Sequence, residues 1–167
     1  MATVTLKGNP VTTNGDLPAI GSRAPGFSLV ATDLSDVTLD GLAGRTVVLS
    51  IFPSVDTPTC AASVRRFNAE MDKIPGTVVL CASADLPFAH ARFCGAEGLG
   101  NVKSVSDMRD KEFGARYGVA ITDGPLKGLL ARAVVVIGPD GTVKHTQLVP
   151  EIADEPDYDA AIKAVKA

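Results

Sequence analysis

The sequence predicts an α/β fold, with a mixed central sheet and helices on both of its faces. Three observations carry that expectation. Thr46–Phe52, Thr77–Ser83 and Leu130–Ile137 are short apolar runs rich in β-branched residues. Their polarity is continuous rather than alternating, which means burial on both faces, as in a sheet sandwiched by helices. Between them lie segments whose apolar residues recur every three or four positions, the helical period. Finally, Gly138-Pro139-Asp140-Gly141 reads as a turn that sends the chain back as a neighbouring strand over Thr142–Val149, so not all strands run parallel.

Taken in order, Val4–Leu6 and Val11–Thr13 flank Lys7-Gly8-Asn9-Pro10, which reads as the turn of an N-terminal β-hairpin. Gly15–Pro25 is a Gly- and Pro-rich loop, Phe27–Ala31 a short strand, and Leu39–Gly44 a single turn closing on glycine. After the strand at 46–52 comes Pro53-Ser54-Val55-Asp56-Thr57-Pro58-Thr59-Cys60. Then Val64, Phe67, Met71 and Ile74 form the apolar stripe of a helix, with Arg65, Arg66, Glu70, Asp72 and Lys73 between them. Pro75-Gly76 ends that helix. The strand at 77–83 follows, then a helix over Phe88–Phe93 stopped near Gly95 and Gly98, and a strand over Val102–Val105. Lys111–Tyr117 is a short helix ended by Gly118, and Thr122–Gly128 an exposed loop. Pro156 opens a last helix through Ala160, Ala161, Ile162 and Val165. Without repeats, low-complexity tracts or linkers, residues 1–167 are expected to form one domain.

Composition narrows the function. The net charge is −3 and no basic block occurs, so nucleic-acid binding has no electrostatic support. No apolar run approaches the ~18 residues that span a bilayer. The first fifteen residues lack an apolar signal core, so no secretory leader is expected. Three cysteines with no C-x-x-C pair argue against a disulfide framework and against a dithiol exchange motif. Reduced thiols fit a cytoplasmic location and leave the periplasm open. His90 and His145 are the only histidines, too few for a ligand set, and neither metal nor cofactor is expected.

The chemistry concentrates at the turn before the first helix. Thr57 suits the N-cap and Pro58 the first helical position, where its missing N–H costs nothing. Cys60 is then the third helical residue, facing backbone N–H groups and the positive end of the helix dipole, an environment that favours thiolate. The alternative is an inert cysteine packed under the turn. Cys81 falls inside a buried strand and reads as a small core hydrophobe. Cys94 falls near a helix end, where the chain can open locally. A bond to Cys60 needs Cα atoms within ~7 Å, which two separate helix ends seldom offer, so it would require unwinding. The alternative for Cys94 is a buried spectator. Arg132 interrupts an apolar strand. A guanidinium there is costly unless it meets an anion or strong acceptors; a thiolate would serve, and an edge-strand or snorkelling arginine is the other reading.

These residues resemble a known family. P-S-V-D-T-P-T-C matches the P-x-x-x-T/S-x-x-C signature of peroxiredoxins. With A-D-L-P-F-A, R-F-C-G-A-E-G-L and D-G-P-L-K-G-L-L-A-R-A-V-V-V, the chain is similar to the bacterial thiol peroxidases, atypical two-cysteine peroxiredoxins. The resemblance implies a thioredoxin-like fold. It implies Cys60 as peroxidatic nucleophile and Cys94 as the resolving cysteine of the same subunit. Thr57 would hydrogen-bond thiolate and peroxide, Pro53 would shield the site from water, and Arg132 would stabilise the thiolate and polarise the peroxide. Alkyl or lipid hydroperoxides and hydrogen peroxide would be the substrates, thioredoxin the reductant and a homodimer the assembly. A non-catalytic redox sensor is the alternative, because it too needs a reactive Cys60. A thioredoxin-like disulfide oxidoreductase is disfavoured by the missing C-x-x-C, and a metal-binding module by the lack of a ligand pair.

Thiolate formation alone does not make a fast peroxidase. Lowering a thiol pKa from ~8.5 to ~6 raises the thiolate fraction at pH 7 about 30-fold. Intrinsic nucleophilicity falls roughly 13-fold over the same change, taking a Brønsted slope of ~0.45, so the net gain is about twofold. The larger contribution has to come from groups that bind charge developing on the peroxide oxygens.

Overall fold

The computed structural model describes residues 1–167. Strands β1 (Thr3–Leu6) and β2 (Asn9–Thr12) form a separate antiparallel hairpin. Its turn is tighter than the sequence suggests. Only Lys7 and Gly8 connect the strands, with φ of 50° and 82°, the positive values that suit a two-residue turn to the twist of a hairpin. Asn9 and Pro10 belong to β2.

Next come β3 (Ser28–Ala31), β4 (Asp36–Thr38), β5 (Val47–Ile51), α1 (Pro58–Glu70) and β6 (Val78–Ser83). They are followed by α2 (Pro87–Glu97), β7 (Lys103–Ser106), α3 (Glu112–Arg116), β8 (Ala133–Ile137), β9 (Val143–Leu148) and α4 (Tyr158–Lys166). The main sheet has seven strands in the order β4-β3-β7-β6-β5-β8-β9. β5, β6 and β7 run parallel, and β8 pairs antiparallel to β5. This is the mixed sheet that the apolar runs imply, in the thioredoxin-like form that the resemblance implies.

Both faces are covered, as continuous apolarity requires. Along β5, Val47, Leu49 and Ile51 pack on one side with Phe27, Phe113 and Tyr117. Val48 and Phe52 pack on the other with Val64, Phe67 and Tyr158, from α1 and α4. Each such side chain, fully buried, contributes about 1.5–3 kcal/mol of transfer free energy.

Several boundaries differ from the sequence reading. β4 was not expected; Val37 is its one buried residue, too little for a period to show. α1 stops at Glu70, and Met71–Lys73 continue as a 3-10 turn. α2 runs through Gly95 and ends at Gly98, whose φ of 67° closes the helix in the left-handed region. β8 begins at Ala133, so Arg132 precedes the strand rather than interrupting it. The last helix starts at Tyr158, capped by Asp157, whose Oδ1 accepts from Ala160 N at 3.0 Å; Pro156 lies outside it.

The N-terminal hairpin is stitched to residues 150–153. Thr5 N donates to the Pro150 carbonyl at 2.7 Å and Ile152 N to the Thr5 carbonyl at 2.8 Å. The Glu151 carboxylate accepts from Thr5 Oγ1 at 3.0 Å and from the backbone N–H groups of Gly8 and Ala153, both at 2.9 Å. These amide donors hold the Glu151 carboxyl down at about 2.

Candidate active site

The site forms where β5 ends and the chain turns into α1, at the carboxyl end of a central strand. Thr57 occupies the N-cap position with extended backbone, and Pro58 is the first helical residue. The hydroxyl of Thr57 does not cap the helix. Oγ1 donates back to the Ser54 carbonyl at 2.9 Å, and no hydrogen bond joins it to Cys60. The helix's first-turn amides therefore keep their N–H groups free of a side-chain cap.

Cys60 is buried with no exposed surface. Its sulfur has one polar partner, Arg132 Nη2, at 3.1 Å. Arg132 is itself 2% exposed. Its Nε donates to the Ile152 carbonyl at 2.8 Å, while Nη1 is buried with no protein acceptor. Of the two readings for this arginine, the structure selects the one in which it meets sulfur and a strong acceptor. A cavity of about 290 Å³ lies beside Arg132 and Ile152; Cys60, fully buried, is not among its lining residues. Pro53, Thr57 and Arg132 line it together with the apolar Leu6, Leu126, Leu129 and Ile152. Leu6 comes from the hairpin, so the β1–β2 unit is one side of the cavity.

Asp85 is the residue the sequence reading did not assign. Its carboxylate accepts from Ser54 Oγ at 2.7 Å and Val55 N at 2.9 Å, and so fixes the turn on which Cys60 sits. The A-D-L-P-F run containing it was visible, but nothing local tells which backbone it holds.

The other two cysteines differ. Cys81 is fully buried on β6, and burial pushes its thiol well up from the ordinary range. Cys94 lies in the last turn of α2, half-buried, with Sγ 3.2 Å from Ser104 Oγ of β7. No disulfide joins any pair. Strand register aligns Ser104, Cys81, Ser50 and Val134 across β7, β6, β5 and β8. Three interstrand steps of about 4.8 Å put the β7 and β8 backbones roughly 14 Å apart. Cys94 is held at the β7 end of that row, while Cys60 sits on α1, which follows β5, with its sulfur on Arg132.

A lone thiol at a helix N-terminus, facing a buried guanidinium on a thioredoxin-like sheet, defines a thiol-based redox protein. Comparison with known proteins gives the particular kind. The Redoxin family profile matches residues 19–162. Thiol peroxidases of Mycobacterium tuberculosis and Mycobacterium bovis are each 58% identical over 167 residues, covering 100% of both chains. Among solved structures, a peroxiredoxin-like protein from Aquifex aeolicus superposes with a TM-score of 0.94 at 43% identity, covering 99% of this chain and 96% of that one. Thiol peroxidase from Chromobacterium violaceum gives 0.90 at 26% identity, covering 98% and 95%.

The chain belongs to the Redoxin family and, within it, to the thiol peroxidases. It is a thiol-dependent peroxidase, which takes a hydroperoxide as substrate and a thiol as reductant. The redox-sensor alternative falls with that. No helix is long and apolar enough to cross a membrane.

Proposed function

We propose that Cys60 is the peroxidatic nucleophile and Cys94 the resolving cysteine of the same subunit. The observation that carries this reading is the Arg132 guanidinium, with Nη2 on the Cys60 sulfur at 3.1 Å and Nη1 buried and unpartnered beside the cavity. One arm engages the Cys60 sulfur, and the other is a donor for a peroxide oxygen.

The sulfur of Cys60 attacks the terminal oxygen of the hydroperoxide. The O–O bond breaks, the alkoxide takes a proton and leaves as alcohol, and Cys60 becomes a sulfenic acid. Arg132 Nη1 and the first-turn N–H groups stabilise charge as it moves onto oxygen. The Thr57 hydroxyl hydrogen is engaged with Ser54, so its oxygen accepts from the peroxide O–H. Pro53 excludes water from the site. The Cys94 sulfur then displaces hydroxide from Cys60; the S–O bond breaks, an S–S bond forms and water leaves. A dithiol reductant, thioredoxin on this reading, returns both sulfurs to thiols by exchange.

The cavity holds about 290 Å³ and its walls are largely apolar. That supports alkyl and lipid hydroperoxides as preferred substrates, with hydrogen peroxide also reduced. Residues 1–167 act as one domain, because the hairpin supplies a wall of the cavity. A homodimer and a cytoplasmic location complete the reading, on the family resemblance and the odd number of cysteines.

The deciding experiment treats fully reduced protein with one equivalent of cumene hydroperoxide, followed by thiol counting and peptide mass mapping. Loss of two thiols with a Cys60–Cys94 cross-link and free Cys81 is expected. Slow, indiscriminate oxidation of all three cysteines would overturn the assignment.

A further inference from the structure

We propose that His90 is a positioning residue: it latches α2 in its folded form and thereby sets how fast Cys94 reaches Cys60. The inference rests on the assignment of Cys94 given above. It begins from where the two sulfurs are engaged. Cys94 Sγ meets Ser104 of β7, Cys60 Sγ meets Arg132, and no disulfide joins them, so α2 has to let Cys94 go before the disulfide can form. What holds α2 then controls the second step of the reaction.

α2 is held by little. Of its eleven residues, only Pro87 and His90 are buried. Its Gly95 weakens the helix by about 1 kcal/mol relative to Ala. Its ion pairs, Arg92 with Asp56 at 3.0 Å and Glu97 with Arg65 at 2.5 Å, are surface pairs that add little. His90, by contrast, has no exposed surface and packs edge-on against the Phe52 ring, 6.5 Å between centroids.

The hydrogen bonds around His90 fix its proton. Its Nε2 is 3.1 Å from Ser83 Oγ, at the end of β6. The single hydroxyl hydrogen of Ser83 goes to Asp85 Oδ2 at 2.5 Å, and Asp85 N donates to the same Oγ at 3.1 Å. Ser83 therefore accepts from His90, whose Nε2 carries the hydrogen. Asp85 is the carboxylate that also holds Ser54 and Val55. The peroxidatic turn and the resolving helix thus hang on one acidic side chain, the first directly and the second through Ser83 and His90. Unwinding α2 breaks the second arm and leaves the first in place.

The other ring nitrogen supplies a readout. Nδ1 is buried without a hydrogen-bond partner. Burial pulls the imidazole below its ordinary value, while Asp85, Asp56 and the Val105 carbonyl of β7 oppose it. In folded α2 the ring takes up a proton less readily than it does in water. Released to water it regains a value of about 6.5. Unwinding therefore takes up a proton as pH falls below about 6.5, and acid favours the released helix.

The test separates the two chemical steps. Stopped-flow oxidation of Cys60 and quenched-flow trapping of the Cys60–Cys94 disulfide are followed in wild-type protein, His90→Ala and His90→Gln. Oxidation of Cys60 at pH 7 is expected at the wild-type rate in both variants, since His90 touches neither Cys60 nor the cavity. Disulfide formation is expected to be about fivefold or more faster in His90→Ala, the factor carried by one lost hydrogen bond. His90→Gln keeps a donor to Ser83 and stays near wild type at pH 7. Below pH ~6.5 wild type should accelerate relative to His90→Gln, whose amide does not titrate. Should His90→Ala fail to fold, that pH comparison decides alone. Disulfide formation at the wild-type rate in His90→Ala, or the same pH profile in wild type and His90→Gln, overturns the latch. Absence of any Cys60–Cys94 disulfide in wild type overturns the assignment of Cys94 and this inference with it.

Discussion

Glu151 and Gly8 lie 143 residues apart in sequence, yet the Glu151 Oε1 accepts the Gly8 backbone N–H at 2.9 Å. The contact fastens the tip of the N-terminal hairpin to the segment whose Ile152 carbonyl steadies Arg132. The cavity wall and the Arg132 guanidinium are therefore set by the same short stretch of chain.

Glu151→Gln turns one of the two accepting oxygens into an NH2 group that donates, so Gly8 and Ala153 can no longer both be received. KM for cumene hydroperoxide should rise, while KM for hydrogen peroxide, too small to need the wall, changes less. In wild type the carboxyl sits at about 2 against an ordinary 4.5, so its contribution is complete above about 4.5 and is lost as pH falls toward 2. Hydrogen exchange at the Gly8 amide should show that loss in wild type and not in Glu151→Gln.

Arg132→Ala removes both the partner of the Cys60 sulfur and the free Nη1 donor. First-turnover reduction of peroxide should slow by about 10²–10³-fold, the scale of losing a charge-stabilising donor. Arg132→Lys should recover little, because an ammonium cannot reach Ile152 and sulfur together as the fork does. A normal first-turnover rate in Arg132→Ala would refute its assignment.

Cys94→Ala should leave first turnover unchanged and stop the second. A sulfenic acid at Cys60 then accumulates and, with excess peroxide, advances to sulfinic acid. Intact-mass spectrometry after one and ten equivalents distinguishes the two products. A variant that still turns over with thioredoxin at the wild-type rate would remove Cys94 from the mechanism.

Gly118→Ala tests the frame rather than the chemistry. Gly118 ends α3 with φ of 69°, and a Cβ there would lie 2.2 Å from the Asp16 carbonyl oxygen. The left-handed conformation alone costs a non-glycine residue about 1–2 kcal/mol. The backbone clash adds to it, so the destabilisation should exceed that figure in urea unfolding. Gly98→Ala, at φ of 67° but in open space, should show the conformational part alone.

How much of this was legible in the sequence depended on range. The apolar strands, the Thr57-Pro58 entry to α1 and the placement of Cys60 were readable because burial on two faces and helix-start chemistry leave local signatures. β4 was not, since a three-residue strand with one buried side chain has no period. Arg132 could be recognised as costly, with a thiolate as one partner that would serve, but the residues alone did not single out Cys60, 72 positions away; the family resemblance did. The direction of the Thr57 hydroxyl was misread because a local acceptor, the Ser54 carbonyl, competes with the helix amides for it. Asp85 and Glu151 were passed over for a related reason. Their value lies in which distant backbone groups they receive, and composition does not encode that.

The dependence of the site on residues 150–153 has a consequence during synthesis. Thr59 Oγ1 donates to the Ala153 carbonyl and Arg132 Nε to the Ile152 carbonyl, so the pocket closes only when nearly the whole chain is available. Pairings of such long separation form late and slowly. A nascent chain emerges with Cys60 already made but with neither its cation nor its cavity. Cys60 thus gains its guanidinium partner in its final setting only after residues 150–153 have been made.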